Sequence, residues 1–281
     1  MKVIKNCKIF HHDKGLSNFN QDIIYDEHKI LKIKNSSNEI YENFEQKDAE
    51  GRIVFPGLID IHVHFREPGQ IDKEDISSGS NAAARGGFTT VVMMPNTYPA
   101  LDSVEEIEAI SEKIINSKIN IFVSPCISKG REGKELVEFE KIIERFENIV
   151  FGFSDDGDFF DNQNLLAKAL NILGKNFPLM QHPELLNSHN YNGAINEGKL
   201  SSKFNLIGRP ISAELNAVKS NLNILKNNSG WIHFQHLSTM DAIKEIKAFK
   251  SNNSKVTSEV TPHHLFFDEE ELFEKLDSQL K

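Results

Sequence analysis

The chain has 281 residues, 39% apolar and 26% charged, with 41 acidic against 32 basic side chains and a net charge of −9. Such proportions build a sizeable core in one large domain or two modest ones, and the acidic excess argues against nucleic acid as the main partner, because phosphate binding needs a basic surface. No apolar run reaches the roughly 18 residues of a membrane span, MKVIKNCKIF carries no signal-peptide core, and Cys7 and Cys126 are too few for a disulfide framework, so the expected setting is the cytoplasm and the expected partner a small molecule.

In chain order, VIKNCKIF, DIIYDE and KILKIK are expected as short strands separated by turn residues such as His12-Asp13-Lys14-Gly15. The texture changes near Gly51, which places part of a small β-sandwich module over 1–51 and a second domain over 52–281. In the second domain an apolar run precedes a helical pattern again and again. RIVFPGLIDIHVHF leads to EDISSGSNAAARGG, FTTVVMMPN to SVEEIEAISEKIINS, and INIFVSPCIS to KELVEFEKIIERF. NIVFGFSDD leads to NLLAKALNILGK, PLMQHPE through a loop to AELNAVKSNLNILKN, WIHFQHLS to MDAIKEIKAFK, and KVTSEVTPHHLFF to DEEELFEKL. Strands alternating with helices imply βαβ units and a parallel sheet covered on both faces. Seven units are one short of a (β/α)₈ TIM-like barrel. An open doubly wound sheet would tolerate that number, but no G-x-G-x-x-G turn follows a strand to support a dinucleotide site.

The residues that end the strands carry the chemistry, because α/β barrels gather their sites there. His62 and His64 end the first barrel strand and, two apart, point to one side. Asp155 and Asp156 end the fourth, His182 the fifth and His236 the sixth. A single histidine at a strand end is ordinarily structural, whereas the same coincidence over four strands is not. Imidazoles with a carboxylate suit divalent zinc. His233 lies an odd number of residues before His236 and is expected to face away, as a core or supporting residue. His263 and His264 are expected to orient neighbouring groups, since ligating imidazoles need a partner on their second nitrogen. His11, His12, His28 and His189 read as surface residues, Arg85 as a helix end and Cys126 as a buried small residue. Arg66, two past His64, offers a guanidinium for a substrate carboxylate, and Asn96 at the end of the second strand offers both donor and acceptor.

PGLIDIHVHFREPG, AAARGGFTTVVMMPNT, FSDDG, QHPE, HLST and SEVTPHHL together resemble the type I dihydroorotases of the amidohydrolase superfamily, in order and spacing, from about Pro56 to Phe267. The resemblance implies a metal-dependent cyclic amidase on an amidohydrolase (β/α)₈ barrel, interconverting N-carbamoyl-L-aspartate and L-dihydroorotate in pyrimidine synthesis. It implies two divalent ions, zinc first among them: His62, His64 and Asp156 for one, and Asp156, His182 and His236 for the other. Arg66 and Asn96 would hold the substrate carboxylate. Hydantoinases and allantoinases, the related alternatives, generally bridge their metals with a carboxylated lysine on the fourth strand, where VFGFSDDGD has none. QHPE departs from the family's usual HCED or HAED while keeping the histidine. The family's M-N-P-P-L-R loop and T-D-H-A-P-H strand do not occur, so the acid/base aspartate is expected beyond Lys281 and the barrel is expected to lack its last strand unit here. A homodimer, or a noncatalytic role scaffolding aspartate transcarbamoylase as some relatives play, stays open as a partner arrangement.

Overall fold

The computed structural model describes residues 1–37, 41–186, 193, 195–250, 255–268 and 270. His189 and most of the helical pattern in DEEELFEKL lie outside the described residues. The chain divides into two units, Met1–Leu58 and Ile59–Lys281.

The first unit is a mixed six-stranded sheet. Strand β1 (Lys2–His11) turns through Gly15, whose φ of 71° suits a residue without a Cβ, into β2 (Gly15–Leu16), and β3 (Gln21–Tyr25) and β4 (Ile30–Asn35) continue antiparallel. On its other edge β1 pairs parallel with β5 (Glu45–Asp48) and β6 (Ile53–Val54). The exposed, wholly polar EQKD of β5 has no apolar alternation to reveal it in the sequence. The unit ends at Leu58 rather than at the compositional change near Gly51, because Ile53 and Val54 still pair with β1. Cys7, Ile9, Ile23 and Ala49 form its core.

The second unit alternates strands and helices. Strand β7 (Leu58–Val63) is followed by helix α1 (Ile76–Arg85), β8 (Phe88–Met93), α2 (Val104–Ile115), β9 (Asn120–Val123), α3 (Phe139–Phe146), β10 (Phe153–Ser154), α4 (Gln163–Leu173) and β11 (Leu179–Gln181). A short excursion, β12 (Ile195–Asn196), α5 (Lys199–Lys203) and β13 (Gly208–Arg209), leads to α6 (Ile211–Lys226), β14 (Ile232–Phe234), α7 (Met240–Lys250), β15 (Val256–Ser258) and α8 (Pro262–Phe266). Spatial order follows chain order: β7-β8-β9 in one sheet and β10-β11-β14-β15 in the next, joined by a parallel bridge between Val123 and Val150. The architecture is therefore α/β with a parallel sheet.

Period-two alternation sorts the strand side chains into two layers. Val91, Met93, Ile121, Val123, Leu179, Ile232 and Phe234 pack in the large core with the helices, while Val92, Met94 and Met180 form a separate inner cluster with Phe122. Helix α1 starts at a reciprocal cap, Asp75 accepting from Ser78 N and Ser78 Oγ accepting from Asp75 N, and ends with Arg85 before Gly86.

Two expected elements are shorter than their sequence patterns. KELVEFEKIIERF is helical only from Phe139, because Lys129 N and Val137 N bond Glu135 O and Ile127 O and keep that stretch against the loop after β9. KVTSEVTPHHLFF is a strand only to Ser258. Thr261 caps the backbone of His264 and Pro262 occupies the first helical turn, so His263 and His264 lie in α8 and not at a strand end.

Candidate metal centre

The C-terminal ends of β7, β11 and β14 bring four imidazoles to one buried carboxylate at the end of β10, with Asn96 beyond β8 beside them. Asp156 is 3% exposed. His62 Nε2, His182 Nδ1 and His236 Nε2 each stand 3.5 Å from its Oδ1, and His64 Nε2 stands 3.6 Å from Oδ2. The two histidine pairs are separate: His62 Nε2 to His64 Nε2 is 3.3 Å and His182 Nδ1 to His236 Nε2 is 3.0 Å. His62, His64 and Asp156 thus form one group of potential ligand atoms, and Asp156, His182 and His236 a second that shares the carboxylate.

The spacings of 3.3–3.6 Å fit cations, and the 3.0 Å between His182 and His236 is somewhat tighter. A tetrahedral ion with bonds of about 2.0–2.2 Å separates its ligands by roughly 3.3–3.6 Å. Asp156 Oδ1 is buried and accepts no hydrogen bond among the described residues, although it lies at the centre of three imidazole nitrogens. An orphaned carboxylate oxygen is costly unless a charge meets it. The donor set, nitrogen with carboxylate oxygen, is the one zinc takes.

Burial and neighbouring charge act against each other across the cluster. Burial disfavours the imidazolium of His62, but Asp156 and Glu259 override it and hold its pKa up to about 9. Burial likewise opposes charge on His182, and Asp156 with Glu184 raises it to about 9. Burial would raise Asp156, yet the imidazoles of His182, His236 and His62 gathered around it hold it well below the usual carboxylate range. The neighbouring Asp155 behaves oppositely. It turns away to accept from Ile127 N and Ser128 N at 2.8 and 3.1 Å and from the Ser128 hydroxyl, and its burial pushes its pKa up to about 6.

His236 lies past the end of β14 with φ of 32°, a left-handed conformation unusual outside glycine. That twist breaks the strand's alternation, so the parity argument for His233 does not hold. His233 faces inward from β14 and is bonded to Glu259. His263 and His264 make no hydrogen bond to the cluster among the described residues; His264 Nδ1 pairs instead with Thr261 Oγ1 at 2.9 Å.

Asn96 Oδ1 accepts from His64 Nδ1 at 2.9 Å and its Nδ2 approaches Asp156 Oδ2 at 3.5 Å, so the side chain touches the cluster itself. Arg66 Nη1 lies 3.4 Å from Asn96 O, leaving the guanidinium at the rim.

Sequence reasoning passed over three supports. Glu259, at the end of the seventh strand, contacts His62 Nδ1 at 2.6 Å. Arg131 donates to Asp156 O at 2.6 Å. Glu184 lies 3.5 Å from His182 Nε2 and takes two 2.8 Å bonds from Arg209 Nη1. Glu259 was within reach of the same rule that picked out the histidines, since it ends KVTSE. Arg131 and Arg209 come from loops and excursions that no periodicity marks.

The dihydro-orotase-like family model matches residues 51–242. The dihydroorotase of Staphylococcus epidermidis strain RP62A is 37% identical over 274 residues, covering 97% of this chain and 63% of that protein. The dihydroorotase of Carboxydothermus hydrogenoformans is 40% identical over 257 residues, covering 89% of this chain and 57% of its own length. Among solved structures, the L-hydantoinase (dihydropyrimidinase) of Arthrobacter aurescens superposes with a TM-score of 0.77 at 19% identity, over 99% of this chain and 62% of that one, which shows a shared fold. The chain spans about six-tenths of the length of these relatives. Fold and site together define an α/β chain with a parallel sheet and two groups of potential metal ligands gathered at its strand ends. The chain belongs to the dihydro-orotase-like family.

Proposed function

We propose that the protein carrying this chain is a dihydroorotase that interconverts N-carbamoyl-L-aspartate and L-dihydroorotate, a step of pyrimidine synthesis, on an amidohydrolase-type (β/α)₈ barrel. The observation that carries the reading is Asp156 Oδ1, buried, unbonded and 3.5 Å from three imidazole nitrogens, in a chain 36–40% identical to curated dihydroorotases. His62, His64 and Asp156 would hold one divalent ion and Asp156, His182 and His236 the other, with zinc the first choice. Two such ions, when bound, acidify water near neutral pH and polarise the amide carbonyl.

The remaining work falls to side chains. Arg66 offers a planar fork for the substrate carboxylate and supplies the local cation that a chain of net charge −9 needs to hold an anion. Asn96 orients His64 through Oδ1 and keeps Nδ2 on the substrate side, beside Asp156. Arg131 holds the backbone of Asp156 so that the carboxylate stays between the two histidine pairs. Aspartate at this place, where hydantoinases generally carry a modified lysine, favours dihydroorotate over a hydantoin as the ring opened.

Assaying the protein against dihydroorotate and hydantoin, before and after chelation and with zinc restored, tests this directly. Dihydroorotate should be opened in a chelator-sensitive, zinc-restored reaction. Preference for hydantoin, or turnover unaffected by removal of metal, would overturn the reading.

A further inference from the structure

A buried hydrogen-bond chain runs between β14 and β15 into the cluster, and its direction is set at Glu259, which can only accept. The Trp231 indole N–H, which can only donate, lies 2.8 Å from Thr257 Oγ1. Thr257 Oγ1 is also 2.8 Å from His233 Nδ1, its register partner across the two strands. The Thr257 hydroxyl can accept from the indole and give its own hydrogen to His233 Nδ1, the arrangement required when the neutral ring donates from Nε2. That nitrogen is 3.1 Å from Glu259 Oε2, and Glu259 Oε1 is 2.6 Å from His62 Nδ1. A carboxylate only accepts, so both imidazoles donate to it. In the neutral ring that a cation requires, His62 keeps the lone pair of Nε2 on the side of Asp156.

The route is enclosed, with His233 6% exposed and the Glu259 side chain 12%. Gln235 Nε2 also comes within 3.3 Å of His62 Nδ1, but a carboxylate at 2.6 Å is the stronger partner of that nitrogen. The other acid near a cluster imidazole, Glu184, stands farther off at 3.5 Å and is engaged by Arg209.

We infer that Glu259 is a positioning residue of the metal centre, the last link of a relay through Trp231, Thr257, His233 and Glu259 that fixes His62 in the tautomer able to bind a cation. The inference rests on the reading of the cluster as a metal site. It adds to that site a residue from the seventh strand and a chain of donors behind it, and the order of the donors predicts which distant substitutions reach the ligand.

Zinc affinity of the 281-residue chain, measured by competition with a chromophoric chelator, tests it together with histidine ¹⁵N shifts. Glu259→Gln keeps the size and removes the charge, whereas Glu259→Asp keeps the charge and withdraws it by one methylene. Both should weaken zinc roughly 10–100-fold. In the unaltered chain His233 should show the Nε2–H form, and Thr257→Val or Trp231→Phe should turn it into a tautomer mixture with the circular dichroism unchanged. His62→Ala is the control for the site. If His62→Ala loses zinc while both Glu259 variants bind within twofold of the unaltered chain, the role of Glu259 is refuted. A native His233 protonated on Nδ1 alone refutes the relay. Unaltered zinc affinity and stoichiometry in His62→Ala refute the ion site of His62, His64 and Asp156 itself.

Discussion

Arg66 and Asp22 show how a single charged side chain acts in two different settings. Arg66 stands at the rim with its guanidinium beside Asn96 O and outside the imidazole cluster. Arg66→Lys should therefore retain its metal while losing about 1.5–3 kcal/mol of substrate binding, because lysine keeps the charge but not the two-pronged geometry. Steady-state kinetics with metal analysis checks this, and unchanged kcat/KM would remove Arg66 from the site. Asp22 is wholly buried in the first unit, where it accepts from Asn6 N at 2.9 Å, from Tyr41 Oη at 2.7 Å and from the Ser36 hydroxyl. Burial alone would raise its pKa, but these bonds from Ser36, Asn6 and Tyr41 leave it lowered. A lowered carboxylate contributes stability that is present above its unfolded pKa and lost as pH falls through the folded one. Asp22→Asn should cost about 1.5–3 kcal/mol at neutral pH, read as faster amide exchange in β1 and β3, and the difference from the unaltered chain should shrink under acid conditions. A difference that persists undiminished in acid would assign the effect to shape and not to charge.

At the scale of elements, the contact of α1 with the end of β7 depends on an absent side chain. A Cβ at Gly79 would stand 2.2 Å from Cε1 of Phe65, the residue that follows His64. Alanine in a helix interior is ordinarily favoured over glycine by about 1 kcal/mol. Forcing a methyl group into a packed ring costs about 1–3 kcal/mol, and a contact this close belongs at the upper end. Gly79→Ala should therefore destabilise the second unit by about 1–2 kcal/mol net in urea unfolding; equal or greater stability would show that α1 can move aside. The elements differ in how visible they were beforehand. The long apolar runs of β8 and β9 and the periodic α2, α4, α6 and α7 are legible because they bury a face in the common core. β5 is not, since its four exposed polar residues pair with β1 and show no apolar alternation. Reading strand ends brought His62, His64, Asp156, His182 and His236 together on paper. Strand ends alone left Asp155 beside Asp156; the resemblance chose Asp156, and the loop geometry turns Asp155 away to Ser128. The place of His236 depended on a left-handed φ that parity cannot anticipate.

The molecule as a whole joins a sheet-based first unit to a second in which most of the parallel strands end at the histidine–aspartate cluster. A site assembled from five strand ends contributes to the stability of the unit that builds it only when its charges are balanced. Zinc should therefore protect the chain against thermal unfolding by about 2.7 kcal/mol at a hundredfold excess over its dissociation constant, and Asp156→Asn should abolish that protection by removing the shared carboxylate. The central claim is that Asp156 is held in common by two histidine pairs as a metal bridge. Anomalous diffraction at the zinc edge, from crystals of the chain grown with zinc, tests it most directly. The account predicts two peaks about 3.5–4 Å apart, one between His62 and His64 and one between His182 and His236, each in contact with Asp156. Peaks that avoid Asp156, or none at the cluster, would contradict it.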